Sequence, residues 1–272
     1  MKRVKQCDEI AYVRRQYRTQ KNLDVRIRVH ELYSEPKVDF QSWVLDHVPW
    51  QGDETVLDVG CGSGSYAEPV RQRAAHYVAG DLSLGMLQGL PWPGPARVNL
   101  DAQRLPLASA VADAVLANHM LYHVPDQEAA LAEFARVLRP HGRLLAVTNS
   151  AHNMPELRTL CLQAEKTLGL KQSLEVRPQL SFTLENGAGL LRRHFAHVER
   201  HDLPAALVFP EPQPVIDYVG TIRERLEELL PAGITWHDVA ATLDELLQQH
   251  IAARGAFRVG KLTGVFVCWH YA

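Results

Sequence analysis

A short apolar run leads directly into three glycines at alternate positions within residues 56–64, VLDVGCGSG, and this segment constrains the fold more than any other. Because glycine has no Cβ, such a loop tolerates positive φ and lets a ligand approach the backbone closely. A helix opening from Tyr66 onward would direct its first N–H groups at that ligand. The segment therefore predicts a strand, a nucleotide-cradling turn and a helix, although a plain strand-to-helix turn would need similar residues.

The spacing of these glycines argues against a dinucleotide. Gly60, Gly62 and Gly64 form G-x-G-x-G, whereas the pyrophosphate of NAD or FAD is bound by G-x-G-x-x-G. The sixth position here is Ser65, and no phosphate-binding lysine follows it. The loop therefore favours a cofactor without phosphates.

Three further segments follow in the order typical of a doubly wound nucleotide-binding fold. An apolar run over residues 77–83, YVAGDLS, carries Asp81 about twenty residues beyond the glycines, where a carboxylate binds the ribose in such folds. Asp81 could alternatively cap a helix at Ser83. Residues 99–126 hold another acidic position and a further strand, and residues 134–149, FARVLRPHGRLLAVTN, predict a helix, a Pro-Gly turn and a strand.

With these four segments in order, the chain resembles the class I S-adenosylmethionine-dependent methyltransferases, in their small-molecule branch (methyltransferase type 11, similar to ubiquinone- and menaquinone-biosynthesis enzymes). The first motif of that family is an acidic residue followed by G-x-G-x-G, here Asp58 and residues 60–64. The family usually has Pro-Gly-Gly where this chain has Pro-His-Gly at 140–142, in a turn that lies away from the cofactor. The resemblance is specific for residues 55–148.

The resemblance implies that S-adenosylmethionine is the cofactor and S-adenosylhomocysteine the product. Asp58 would lie near the methionine amine, brace the glycine loop, or do both, and Asp81 would bind the ribose. Asp101 would meet the adenine, unless it is an ordinary turn residue, and Met86 would pack in the core or on the adenine. The implied cofactor residues in the α/β core are Asp58, Gly60, Cys61, Gly62, Gly64, Asp81, Leu82, Met86, Asp101, Ala102 and Asn118.

The N-terminal segment adds two candidates. Residues 22–33, NLDVRIRVHELY, look like a helix found in some bacterial members of this group, and Arg26 aligns with a recurring arginine there. Arg26 could clamp the cofactor carboxylate, and Tyr17 could close over the sulfonium by a cation-π contact. A helix surface lying on the domain would explain both equally well. The basic residues over residues 1–28 form either a solvated face or an attraction for an anionic substrate or the cofactor carboxylate.

His119 and His123 would share one face of a helix, as metal ligands do. No third ligand stands at a recognisable spacing, so we expect no metal. His119, at the carboxyl edge of a predicted strand, is a candidate base or orienting group. Tyr122 and His123 are expected to be packing residues, and no other catalytic residue is assigned.

Apolar strands alternate with helical segments across the middle of the chain, a pattern typical of a parallel sheet. With the resemblance, it predicts an α/β fold: a doubly wound, seven-stranded mixed sheet, Rossmann-like, with N-terminal helices and an inserted helical cap. We expect an N-terminal helical cap over residues 1–50, an S-adenosylmethionine-binding α/β core over 51–149, and the rest of the sheet with an acceptor lid over 150–272. The lid is expected within residues 150–180 and 205–256.

Composition narrows the class of protein. Of 272 residues, 46% are hydrophobic and 22% are charged, which is ordinary for a soluble globular protein. No run approaches the roughly 20 apolar residues of a membrane span, and no apolar stretch follows the basic N-terminus as in a secretory signal. We therefore expect a cytoplasmic protein without a membrane partner. The net charge of −2 argues against a nucleic-acid partner, because binding to the phosphates needs a basic surface.

The resemblance implies in-line transfer of a methyl group from S-adenosylmethionine to an O, N or C atom of a small-molecule acceptor. Two alternatives stay open. One is an RNA methyltransferase, favoured by the basic N-terminus. The other is a non-catalytic, S-adenosylmethionine-binding regulatory protein. The sequence specifies neither the acceptor, nor the pathway, nor the oligomeric state.

Overall fold

The structure, a computed structural model, describes residues 21–91, 94, 96–170 and 180–270. The strands are β1 (Ser34–Glu35), β2 (Thr55–Val59), β3 (His76–Asp81), β4 (Ala96–Asn99), β5 (Ala112–Asn118), β6 (Leu138–Asn149), β7 (His197–Phe209) and β8 (Phe257–Trp269). The helices are α1 (Lys21–Tyr33), α2 (Phe40–Leu45), α3 (Ala67–Arg71), α4 (Leu84–Gly89), α5 (Gln127–Val137), α6 (Pro155–Thr167), α7 (Gly187–Leu191), α8 (Gln213–Gly220), α9 (Arg223–Leu229) and α10 (Trp236–Arg254).

The strands form one mixed sheet in the order β1-β7-β8-β6-β5-β2-β3-β4. The pairs from β6 to β4 are parallel, whereas β6 with β8, β8 with β7, and β7 with β1 are antiparallel. The predicted mixed, doubly wound sheet is confirmed, but it has eight strands rather than seven. The additional strand is β1, in a region predicted to be helical, where Ser34 pairs with Leu207. Pro36 follows β1 directly and favours extended backbone at Glu35.

Helices cover both faces of the sheet because successive side chains of a strand point to opposite faces. On one face, Leu57 belongs to a buried apolar cluster with Leu131 and Phe134 of α5. On the other face, Val56 belongs to a cluster with Leu45 of α2, and this cluster also includes residues of α3 and α4. The central strands are therefore buried on both sides, which explains their nearly continuous apolar sequences.

β7 and β8 extend past the rest of the sheet. They pair over 13 residues each, from His197 with Trp269 to Phe209 with Phe257. The ladder between β6 and β8 stops where Asn149 pairs with Thr263. Residues 204–209 of β7 and 257–262 of β8 therefore continue beyond β6 as a ribbon, edged by β1 at residues 206–207, which we call the cap ribbon.

Five helices pack with the cap ribbon in a third buried cluster. Its members come from α1, α6, α8, α9 and α10, and include Val29, Leu157, Val215, Leu226 and Leu243. Leu207 and Val259 contribute the apolar face of the ribbon. These elements form the helical cap above the sheet. The strand expected near residues 197–203 continues to Phe209, so the expected lid range of 205–256 begins within β7.

Other boundaries differ from the sequence-based expectations in two places. A single helix is expected over residues 213–230, but α8 and α9 are separate there. The Pro-His-Gly turn at 140–142 lies within β6, where Ala112 pairs with Leu138 and Ala114 with Arg143, so that residues 139–142 loop out. Within the described ranges, no helix combines the length and apolar character needed to cross a bilayer.

The packing of α5 on the sheet predicts a difference between two leucines. Leu131 on α5 is fully buried, whereas Leu162 on α6 is 47% exposed. Leu131→Ala removes buried methyl groups and leaves a cavity, so we expect it to lower the free energy of unfolding by about 2–5 kcal/mol. Leu162→Ala, the same chemical change at the surface, should stay within about 0.5 kcal/mol of wild type. Urea unfolding measures both, and equal losses would contradict this arrangement.

Candidate functional site

A cavity of about 790 Å³ lies at the carboxyl ends of β2, β3 and β5, beneath the helical cap. Ligands of open α/β folds bind at this edge because the loops leaving the strands diverge there. One wall comes from the residues that follow these strands. The opposite wall comes from α1, from the segment after β1, and from the cap ribbon.

The glycine loop follows β2. Gly60, Gly62 and Gly64 have φ of 74°, 54° and 75°, a region that favours glycine. Close packing adds to this requirement, since a Cβ on Gly60 would lie 2.8 Å from Met120 Cβ. Gly60 and Gly62 line the cavity, as does the buried Cys61, whose thiol pKa is raised by burial. Gly64 lies outside the cavity wall. A Cβ at this position would lie only 2.6 Å from Leu90 Cδ2, so the glycine makes room for Leu90.

Asp81 ends β3 and connects the glycine loop to α4. Its Oδ2 accepts a hydrogen bond from the Gly62 N–H at 3.0 Å, and its Oδ1 accepts one from the Ser83 N–H at 2.8 Å. Burial raises the pKa of Asp81, while these N–H donors oppose that rise. The helix cap is supplied by Ser83, whose hydroxyl accepts from the Met86 N–H. The carboxylate of Asp81 lines the cavity and retains acceptor capacity for a ligand.

Asp58 is buried inside β2, with only 1% of its surface exposed. The Tyr77 hydroxyl donates to its Oδ2 at 2.5 Å. Burial, with a further contribution from the nearby Asp81, raises the pKa of Asp58 to about 7, against the opposing hydrogen bond from Tyr77. Asp58 also lines the cavity, where it presents a carboxyl group that a nearby cation would ionise.

The segment after β4, which holds Asp101 and Ala102, supplies a further part of the cavity wall. Asp101 Oδ1 accepts from the Gln103 N–H at 2.9 Å, the hydrogen bond of an Asx turn. Ala102, Leu82 and the buried Met86 line the cavity beside it. Asp101 therefore forms a turn and faces the cavity at once.

The end of β5 carries two unusual residues. Both amide atoms of Asn118 are buried and have no hydrogen-bond partner within the described part of the chain, and Asn118 lines the cavity. A buried amide without hydrogen-bond partners costs free energy unless a ligand supplies those partners. His119 follows with φ of 56°, and its ring lies 6.0 Å from that of Phe40. Backbone outliers of this kind concentrate at functional sites.

The expected helical pairing of His119 with His123 is wrong. His119 precedes a 3₁₀ turn over Leu121–His123, so the two residues do not share a helix face. His123 is half-buried, and its desolvation together with the charge of Arg26 lowers its pKa to about 4. No cluster of three or more metal-ligating side chains occurs among the residues that the structure describes.

α1 lies across the cavity. Leu23 is next to the glycine loop, since a Cβ on Gly62 would lie 3.1 Å from Leu23 Cδ2. Arg26, one turn later, lines the cavity and donates from Nε to Thr221 Oγ1 at 3.0 Å, with its guanidinium 5.9 Å from the Tyr218 ring. Tyr17 falls outside the described residues.

Several cavity residues were missed from the sequence. They are His30, Ser34, Lys37, Lys261 and Thr263. All of them belong to α1, the segment after it, or β8, and they reach the site only because the cap folds over the sheet. The pairing of β8 with the long strand β7 was the signal that could have placed Lys261 above the sheet.

The family comparison agrees with this arrangement. Residues 57–146 match a family model described as "Methyltransferase domain". A demethylmenaquinone methyltransferase of Mycolicibacterium paratuberculosis is 41% identical over 92 residues, which cover 34% of this chain and 40% of that protein. A demethylmenaquinone methyltransferase of Corynebacterium urealyticum is 35% identical over 116 residues, 43% of this chain and 49% of that protein. The chain thus spans less than half the length of these relatives.

Solved structures share the fold. The YcgJ protein of Bacillus subtilis superposes with a TM-score of 0.58 at 15% identity, covering 86% of this chain and 100% of that one. Phosphoethanolamine N-methyltransferase 2 of Haemonchus contortus, in complex with S-adenosyl-L-methionine, gives a TM-score of 0.52 at 15% identity, covering 86% and 53%. The resemblance to class I S-adenosylmethionine-dependent methyltransferases is confirmed, with the family match confined to residues 57–146.

The environment of Asp58 predicts a pH-dependent stability. Folding raises the pKa of Asp58 from 3.8 to about 7, so the folded state favours the protonated carboxyl group. Its stabilisation is present in full below the unfolded value and is lost as the pH rises through about 7. Relative to Asp58→Asn, wild type should lose up to about 1.4 kcal/mol of unfolding free energy per pH unit between about pH 4 and pH 7.

The measurement is urea unfolding of both proteins across this pH range. Asparagine keeps an acceptor for the Tyr77 hydroxyl, so the variant changes the titration without removing that hydrogen bond. A difference between the two proteins that does not vary with pH would contradict the raised pKa.

Proposed function

We propose that the protein is an S-adenosylmethionine-dependent methyltransferase that transfers a methyl group to a small-molecule acceptor. The observation that carries this proposal is the glycine loop joined by Asp81 to the end of β3, in one cavity with the buried Asp58 and the orphaned amide of Asn118. The confirmed resemblance over residues 57–146 supports the same conclusion.

The residues present fit this cofactor. Asp81 has free acceptor positions for the two ribose hydroxyls, and Asp58 offers a carboxyl group to the methionine amine. Asp101 and Ala102 would border the adenine, with Met86 and Leu82 as its apolar neighbours. The remaining contacts are assigned to Gly60, Cys61, Gly62, Asn118 and Arg26, with Tyr17 as a further candidate and Gly64 shaping the loop.

The bound cofactor would supply an electrophilic methyl group on a sulfonium that is itself the leaving group. The protein then has to position two molecules and exclude water, which can lower the barrier by roughly 7–11 kcal/mol. Here the glycine loop and Asp81 hold one partner against the sheet, and the cap encloses the other. The helical cap makes the reaction site a cavity rather than an open groove.

Two residues are proposed to handle protons. Asp58, with a pKa raised to about 7, would release its proton when a cationic amine binds beside its carboxyl group. His119 lies where β5 ends and lines the cavity, so it is the candidate base or orienting group for an acceptor that must lose a proton.

The cavity supports a small acceptor. Its volume of about 790 Å³ falls in the range typical of small-molecule sites. The comparisons give no support to an RNA methyltransferase or to a non-catalytic regulatory protein. The family match ends at residue 146, before α6, α8, α9, α10 and the cap ribbon. The acceptor is therefore argued from the cap itself rather than from the names of the relatives.

Replacement of Asp81 tests the cofactor site. Asp81→Ala should weaken binding of both S-adenosylmethionine and S-adenosylhomocysteine by at least about 10- to 100-fold, because loss of even one charged hydrogen bond costs about 1.5–3 kcal/mol. Asp81→Asn, which retains one acceptor oxygen for the Gly62 N–H, should lose less. Isothermal titration calorimetry measures all three proteins.

Asp217→Ala is the matched control, since Asp217 is exposed on α8 and its Oδ1 accepts a hydrogen bond from the Gln213 side chain. Its affinities should equal those of wild type. Failure of the wild-type protein to bind either cofactor form would overturn the proposed function.

A further inference from the structure

We propose that the methyl acceptor carries an anionic group, a carboxylate or a phosphate, and that Lys261 binds this group in the cap half of the cavity. The inference rests on the proposed methyl transfer and specifies the acceptor for that same site. It is carried by the position of Lys261, by its hydrogen-bond partners and by the distribution of charge along the cavity.

α1 orders the cavity from the glycine loop to Lys261. Leu23 lies against Gly62, Arg26 follows one turn later, and His30 follows one turn after Arg26. A turn of α-helix advances about 5.4 Å, so His30 lies well beyond the glycine loop. The Nζ of Lys261 is 3.2 Å from His30 Nδ1. Lys261 therefore stands at the end of the cavity remote from the proposed cofactor loop.

The ammonium group of Lys261 contacts a histidine ring nitrogen and a hydroxyl group. Besides His30 Nδ1, its Nζ donates to Ser34 Oγ at 2.8 Å. No carboxylate forms an ion pair with Lys261 within residues 21–91, 94, 96–170 and 180–270. An ammonium has three donors, so one remains for a ligand. A half-buried cation without a counter-ion is costly, and an anionic ligand would remove that cost.

The surroundings of Lys261 reinforce its positive charge. Lys37 lines the same part of the cavity, held by hydrogen bonds from its Nζ to the carbonyl oxygens of Glu31 and Leu32. Burial and the neighbouring Lys37 lower the pKa of Lys261 to about 8. The cap end of the cavity thus combines two lysines, where a bound anion would be stabilised by both.

Charge is separated along the cavity. Three carboxyl groups lie on the wall assigned to the cofactor, at or just beyond the carboxyl ends of β2, β3 and β4. They belong to Asp58, Asp81 and Asp101. On the cap wall, the exposed carboxylate of Asp39 is occupied in capping α2, where it accepts from the Ser42 N–H and hydroxyl. The exposed Glu31 stands at the rim. A cationic cofactor at one end and an anionic acceptor at the other match this polarity.

A purely structural role for Lys261 makes a different prediction. Ser34 belongs to β1, and Lys261 to β8, so their hydrogen bond also helps to hold β1 to the cap. If that were its whole function, replacing Lys261 would lower stability but would change the affinity for charged and neutral ligands alike. Discrimination between an acid and its uncharged analogue therefore separates the two roles.

The test uses matched ligand pairs on the full chain saturated with S-adenosylhomocysteine. Benzoate and phenyl phosphate are compared with benzamide by titration calorimetry. In wild type we expect at least one anion to bind about 10-fold more tightly than benzamide, as expected for one charge-assisted hydrogen bond. A preference for benzoate or for phenyl phosphate identifies which anion the site takes.

Three variants complete the test. Lys261→Met should abolish the preference for the anion and leave benzamide binding unchanged, whereas Lys261→Arg should retain the preference. Lys166→Met, at an exposed lysine of α6, is the matched control and should behave as wild type. Unfolding curves of each variant report any loss of stability separately.

The outcomes distinguish this inference from the proposed function. If S-adenosylhomocysteine binds but benzamide binds as tightly as both anions, or if Lys261→Met keeps the preference, the anionic acceptor is refuted and methyl transfer stands. Absence of anion binding to the cofactor-saturated protein refutes it equally. If S-adenosylhomocysteine does not bind wild type, both proposals fall.

Discussion

The antiparallel pairing of β7 with β8 is the constraint on which the site depends. This pairing continues beyond Asn149, where β6 ends, and so projects the cap ribbon past the carboxyl edge of the parallel strands. Helices α6, α8 and α10 bury their apolar faces against this ribbon. Without it, the glycine loop would face water, and the residues of β8 and α8 would have no route into the cavity.

The second constraint is the cost of burying carboxyl groups next to one another. Asp58 and Asp81 lie at the carboxyl ends of neighbouring strands, and the charge of Asp81 adds to the rise that desolvation causes in the pKa of Asp58. The fold limits this cost by directing the N–H groups of Gly62 and Ser83 at Asp81 and the Tyr77 hydroxyl at Asp58. The pair is thereby held in a state that a cationic ligand stabilises, which is the electrostatic requirement of an amine- and sulfonium-bearing cofactor.

Sequence patterns predicted the parallel half of the molecule because its signals are local. The sequence predicts strands over residues 55–59 and 96–99, and β2 (Thr55–Val59) and β4 (Ala96–Asn99) have these bounds. Eleven of the thirteen proposed cofactor residues lie beside β2 to β5. The cap could not be predicted in the same way. The pairing of Ala205 with Lys261 joins residues far apart in the sequence, and no local pattern specifies it. The helical pairing of His119 with His123 failed because the chain turns through positive φ at His119.

α1 connects the two halves of the cavity, and its sequence reflects two different demands. Near its start, Leu23 packs beside Gly62, where the glycine loop allows no bulk. Near its end, His30 accepts a hydrogen bond from Lys261 of the cap ribbon. Between them, Arg26 bonds to Thr221 and stacks on Tyr218, both from the cap. One helix therefore sets the distance between the glycine loop and the cationic end of the cavity. In the proposed reaction, α1 rather than the sheet would fix the reach of an acceptor from Lys261 to the reacting methyl group.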